Sequence, residues 1–151
     1  MRRMGNLYDY FSAPDDPAAL AAFDQGIEEA GLPVLPVKGV DPYVQLGQAE
    51  GMLTGTPYDD VTSLPRFNRL LSSPEDESRW LVTLTDELRD ALAAARPGGF
   101  GAVAEAWSHI EEFGGDAPPD ELAGFLDMLA DLAEQARAHP EPHRLYCLMS
   151  L

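Results

Sequence analysis

The strongest constraint on the fold lies near the C-terminal end. Leu122, Phe125, Leu126, Leu129, Leu132 and Ala136 recur every three or four residues, the period that gathers side chains on one side of an α-helix. Such a stripe must be covered by something apolar. Asp120, Asp127, Asp131 and Glu134 stand opposite it, so that side of the helix faces water. A few residues further on, Arg144 to Leu151 is almost continuously apolar, the pattern of a short strand buried on both faces inside a sheet. A long amphipathic helix followed by an interior strand predicts an α+β domain with helices laid on a sheet.

Earlier segments add to this plan. Asp16, followed by Pro17, opens a helix with Leu20, Phe23 and Ile27 on one face, and Gly31 ends it. Leu32-Pro33-Val34-Leu35-Pro36-Val37 reads as a short strand whose prolines place it at a sheet edge. Asp41-Pro42 repeats the cap-then-proline signal, with Tyr43, Leu46, Ala49 and Leu53 on one helical face before Gly55. Residues 54–73 mix Gly, Pro, Asp and Ser with Tyr58, Val61, Phe67, Leu70 and Leu71, which predicts a loop held by buried anchors with one short helical turn. Trp80 to Leu84 favours a strand, and Thr85 caps a helix through Leu88 and Leu92 to Pro97-Gly98-Gly99. Phe100, Val103, Trp107 and Ile110 mark a further helix ending at Gly114-Gly115. The sum is a single domain over residues 1–151, with about five helices around a small sheet of roughly three strands including the C-terminal one. A chain of this length needs only one core, since folding buries roughly 68–70% of its unfolded surface.

Charge bears on partners. The 26 acidic and 10 basic residues give a net charge of -16, a field that repels nucleic-acid phosphates and anionic lipid while steering basic proteins inward. No nucleic-acid or membrane partner is expected. The same charge also maintains solubility. The lone cysteine, Cys147, has no intrachain disulfide partner, which points to a reducing compartment, the cytoplasm by default. Met1-Arg2-Arg3 is followed by Asn6 and Asp9 with no long apolar stretch, so neither a signal peptide nor a membrane span is expected. One lysine among ten basic residues, with abundant Ala and Gly, suggests a GC-rich bacterial genome.

A series of short motifs runs from Met4-Gly5 and Asp9-Tyr10-Phe11, through Val40-Asp41-Pro42 and Met52-Leu53-Thr54-Gly55-Thr56, to Leu84-Thr85 and Glu87-Leu88. A long helix before an apolar terminal strand completes it. In this order the motifs resemble the YfbM-like family of small bacterial proteins. The resemblance implies helices around a small sheet and no established activity, so no catalytic residue is carried over. Where many relatives place an aromatic residue and His before Leu-Thr-Gly, this chain has Glu50 and Gly51.

Three local clusters carry chemically capable side chains. His139-Pro140-Glu141-Pro142-His143, with Cys147 beyond, offers zinc-ligand types, although a solvated proline-rich turn accounts for the same residues. Arg96-Pro97-Gly98-Gly99-Phe100-Gly101 opens a helix as phosphate loops do, but it follows a helix and lacks the Lys and Ser/Thr of a P-loop. Trp107 to Glu112 brings Ser108, His109, Glu111 and Glu112 together in sequence. On a helix His109 and Glu111 diverge from the Ser108 and Glu112 face, so no triad follows. No Gly-x-Ser-x-Gly elbow occurs in the chain.

The residues therefore favour a non-enzymatic interaction module without a cofactor. Its acidic surface, Asp120, Asp127, Asp131 and Glu134 with Glu111 and Glu112 alongside, would bind a basic protein as an inhibitor or immunity protein does. A small hydrolase or ligand-binding enzyme with a site near Tyr58, Asp59, Asp60 and His109 is one alternative. A homodimer held by apolar surface is another.

Overall fold

The computed structural model describes residues 6–95 and 99–151. Its elements are β1 (Leu7–Ala13), α1 (Asp16–Gln25), β2 (Val34–Lys38), α2 (Gln45–Thr54), α3 (Tyr58–Val61), β3 (Arg79–Thr83), α4 (Asp86–Ala94), α5 (Gly101–Trp107), a 3-10 turn (Glu111–Phe113), α6 (Pro119–Arg137) and β4 (Arg144–Ser150). The four strands form an antiparallel sheet in the order β2-β1-β4-β3. The α+β class stands, with six α-helices and four strands among the described residues instead of about five and roughly three.

The additional strand is β1, which lies beside β4 at the centre of the sheet. Its sequence, LYDYFSA, carries Asp9 and Ser12 among the apolar residues, and these hide it from a search for apolar runs. Its alternation is nonetheless informative. Tyr8 and Tyr10 point to one face with Val82, Leu145 and Cys147, where α2, α4, α5 and α6 cover them. Phe11 and Ala13 point to the other with Leu81, Tyr146 and Leu148, under α1. Helices on both faces explain why Leu145 to Leu148 of β4 are all buried.

Eight residues of α6 are buried, among them Leu126 and Leu129 at 0% exposure. Each such leucine contributes about 1.5–3 kcal/mol by leaving water, far more than the intrinsic helix propensity of one residue.

Several boundaries differ from the sequence expectation. Asp15, not Asp16, caps α1 by accepting the Ala18 amide at 2.9 Å, and the helix ends at Gly26, whose φ is 109°, with residues 27–31 forming turns. Glycine takes such a φ without strain. Asp41 does cap, but it serves the turn before α2, accepting the Tyr43 and Val44 amides at 2.8 and 2.7 Å. Thr85 caps α4 through the Leu88 amide at 2.9 Å. Instead of continuing through Ile110, α5 stops at Trp107. Within residues 54–73, Leu70 is exposed, whereas Val61 is buried.

The two sheet edges are treated differently. Outside β3, residues 68–71 follow the strand, with amide-to-carbonyl bonds Asn68 to Thr83 at 3.1 Å, Leu71 to Leu81 at 2.8 Å and Thr83 to Arg69 at 3.0 Å. At the other edge, no described strand pairs with the outer side of β2. As its prolines predict, β2 is an edge strand.

Candidate functional site: the acidic side of α6 and its groove

Asp120, Asp127, Asp131 and Glu134 fall within about 60° of one another around α6, given 3.6 residues per turn. They lie opposite the buried positions Leu122, Leu126 and Leu129. Asp120, Asp131 and Glu134 are exposed and Asp127 is half-buried. Glu111 and Glu112 are exposed in the 3-10 turn. The Glu112 carboxylate accepts from Gln48 Nε2 at 3.0 Å, and its carbonyl accepts from Gln45 Nε2 at 3.3 Å. Both bonds tie Glu112 to α2.

Beside the acidic stripe, α6 and β2 form the walls of a groove. Its wider part, about 310 Å³, is lined by Val37, Phe113, Leu122, Phe125 and Met128, with Lys38 and Glu121 at the rim. A second part of about 220 Å³ continues past Met128 to Leu35, Leu132 and Asp131. Met128 is common to both and is 51% exposed. The floor is fixed by aromatic packing. Phe125 lies 5.7 Å from the Tyr10 ring and 6.2 Å from Trp107, which also meets Phe113 edge-on at 5.3 Å. Trp107 donates its indole N–H to the Gln45 carbonyl at 2.7 Å, and the Tyr10 hydroxyl donates to the Val40 carbonyl at 2.7 Å just beyond β2. Both rings are thus anchored at their polar ends, as buried Tyr and Trp require.

At one end of the sheet a second polar cluster is internally neutralised. Arg66 donates to both Asp16 oxygens at 3.1 and 3.2 Å, Tyr146 donates to Asp16 Oδ1 at 2.7 Å, and the Arg66 guanidinium lies 5.7 Å from the Tyr146 ring centre. Burial acts to raise the Asp16 pKa, but bonds from Arg66 and Tyr146 outweigh it and hold the carboxyl below its ordinary value. Arg89 and Arg144 approach Asp86 at 3.5 and 3.4 Å, and Arg89 also meets Asp90 at 2.9 Å. Cations and carboxylates match here. The cluster fastens α1, α4, β4 and the 62–71 loop together and adds little to the surrounding field.

Glu50, on α2, is the buried acid that sequence reasoning left without a role. It is 2% exposed and accepts the Thr85 hydroxyl at 2.6 Å, while the same hydroxyl accepts the Leu88 amide. Burial, joined by repulsion from Glu87, pushes its pKa up to about 7 against the opposing effect of the Thr85 bond. At the next residue, a β-carbon on Gly51 would stand 2.7 Å from the Thr56 carbonyl oxygen. Glu50 and Gly51 are therefore both constrained by packing.

The sequence clusters do not assemble into reaction centres. His139 and His143 stack with ring centres 3.5 Å apart and planes 3° from parallel. Nitrogen lone pairs lie in the ring planes, so this arrangement directs them side by side and not toward one ion. Burial and the neighbouring His139 lower the His143 pKa. Cys147 is buried in the sheet, and burial pushes its thiol pKa up. Among the described residues, no three His, Cys, Asp or Glu groups converge as metal ligands. Ser108 is buried and donates to the Glu105 carbonyl at 2.7 Å, whereas exposed His109 pairs with the Glu105 carboxylate at 3.0 Å. Tyr58, Asp59, Asp60 and His109 line neither part of the groove. Arg96, Pro97 and Gly98 of the glycine-rich turn lie outside the described residues, as do Met1 to Gly5. No helix among the described residues is long and apolar enough to cross a membrane.

Groove residues Lys38, Glu121 and Met128 were not singled out from the sequence. Met128 offered a signal, being a large apolar side chain outside the buried period of its helix. Compared with known proteins, the chain matches no family model, no curated protein and no solved structure.

Proposed function

We propose that this chain is a non-enzymatic interaction module that binds a basic protein, in the manner of an inhibitor or immunity protein, through the acidic side of α6. The observation that carries the reading is the placement of the acidic stripe beside a groove whose larger part is mainly apolar and floored by packed aromatic side chains. Charge at a rim steers encounter, and apolar area at the centre slows dissociation. Asp120, Asp131 and Glu134 supply the first effect, and Phe125 and Met128 the second. The resemblance to the YfbM-like family fits this reading and lends it no activity.

Association kinetics with a basic protein recovered by affinity purification test the mechanism. The association rate is expected to fall at least ~10-fold between about 50 and 500 mM salt, because the screening length shrinks from more than ~10 Å to a few ångströms. Asp120→Asn combined with Asp131→Asn and Glu134→Gln is expected to flatten that dependence. A rate independent of salt in the parent protein refutes the acidic-face mechanism.

A further inference from the structure

We infer that the groove between β2 and α6 seats one large apolar side chain from a partner segment whose neighbouring residues are Lys or Arg. The inference deepens the proposed function and rests on it. Three observations select this occupant.

Size is the first. The wider part of the groove, about 310 Å³, lies at the lower end of the roughly 300–1,000 Å³ typical of ligand sites, which suits a single large side chain. Its lining is mainly apolar, and Met128 borders both this part and the more polar second part. An exposed, unbranched thioether adapts to differently shaped apolar groups.

Charge is the second, and it gives the segment a direction. Lys38 stands at the wider end with Glu121, whereas Asp131 stands at the narrower end without a cation lining that part. At the wider end Lys38 offsets Glu121, whereas Asp131 is unopposed in the lining of the other part, so a cationic neighbour of the anchor is favoured toward Asp131 and the stripe behind it.

The third is the nature of the edge. The outer side of β2 is unpaired among the described strands, which would ordinarily invite an added strand. However, β2 is five residues long, has Pro36 at its centre and ends at Lys38. Proline removes a ladder donor, and lysine disfavours edge pairing. Recognition therefore proceeds by side-chain insertion, with β2 as a wall and not as a pairing template.

Selection from a random-peptide display library on the immobilised full chain tests this directly. Enriched sequences are expected to carry a Trp, Phe, Tyr, Leu or Met with Lys or Arg beside it. Met128→Lys, which places a charge in the groove at an exposed position, is expected to weaken their binding by about tenfold or more in fluorescence anisotropy. Asp131→Asn is expected to reduce the preference for flanking Arg. Unchanged circular dichroism and thermal midpoint establish that both variants fold. Basic peptides without an apolar residue that bind Met128→Lys as well as the parent would overturn the groove inference while leaving the acidic-stripe proposal intact. Apolar peptides without cations would overturn both the cationic requirement and that proposal. Failure to enrich any peptide would overturn the inference alone.

Discussion

Replacing Glu50 with Gln should make the protein more stable at neutral pH and change how its stability varies with pH. The Glu50 pKa rises from 4.5 to about 7 on folding. At ~1.4 kcal/mol per unit, these values correspond to about 3 kcal/mol. Between the two pKa values the folded chain holds a proton that the unfolded chain has lost. Stability therefore declines as pH rises from about 4.5 to 7 and is level above that range. Gln removes the titration, keeps an oxygen to accept the Thr85 hydroxyl, and adds two amide donors whose unmet bonds cost about 1–3 kcal/mol. The absolute gain is thus between zero and about 2 kcal/mol, but the pH dependence of the difference between variant and parent is independent of that cost. Urea unfolding followed by fluorescence of Trp80 and Trp107 at several pH values from about 5 to 8 measures it. Other carboxylates titrate alike in both proteins and cancel. A difference that is flat across this range would show that Glu50 ionises normally and would refute the account of the α2–α4 contact.

Three further outcomes follow from the packing. Asp16→Asn is expected to cost about 1–3 kcal/mol in urea unfolding; because the Asp16 pKa is held down, its contribution is present at neutral pH and is lost as pH falls below the ordinary value of 3.8. Gly51→Ala is expected to lower stability by about 1–3 kcal/mol through the Thr56 carbonyl contact, whereas Gly124→Ala in α6, where an added β-carbon meets nothing within 4 Å, should raise it by about 0.5–1 kcal/mol. Cys147 should resist a thiol reagent in the folded protein and react on unfolding, because it is buried with a raised pKa; rapid reaction of native protein would place it at an accessible surface.

The sequence specified elements with strong one-dimensional periods and missed those defined by neighbours. The face of α6, the central position of β4 and the Thr85 cap depend on local spacing, and all three are found as read. Strand β1 was missed because its Asp9 and Ser12 interrupt an apolar run; its strand character emerges from pairing with β2 and β4 on either side. The same distinction applies to the candidate site. The acidic stripe follows from helical spacing, but the groove exists only because β2, far away in sequence, passes beside Met128 and Phe125. Glu50 follows Leu46 by four residues, so helical spacing sets it on the buried side of α2, but its hydrogen-bond partner Thr85 is brought there only by the tertiary contact with the start of α4.

The central claim is about location, and amide chemical-shift mapping of the labelled chain with its recovered basic partner tests it most directly. The account expects the largest shifts in residues 33–40 and 118–135, centred on Met128 and Asp131. Shifts concentrated on Asp16, Arg66 and Arg144, with Met128 and Asp131 unmoved, would contradict it.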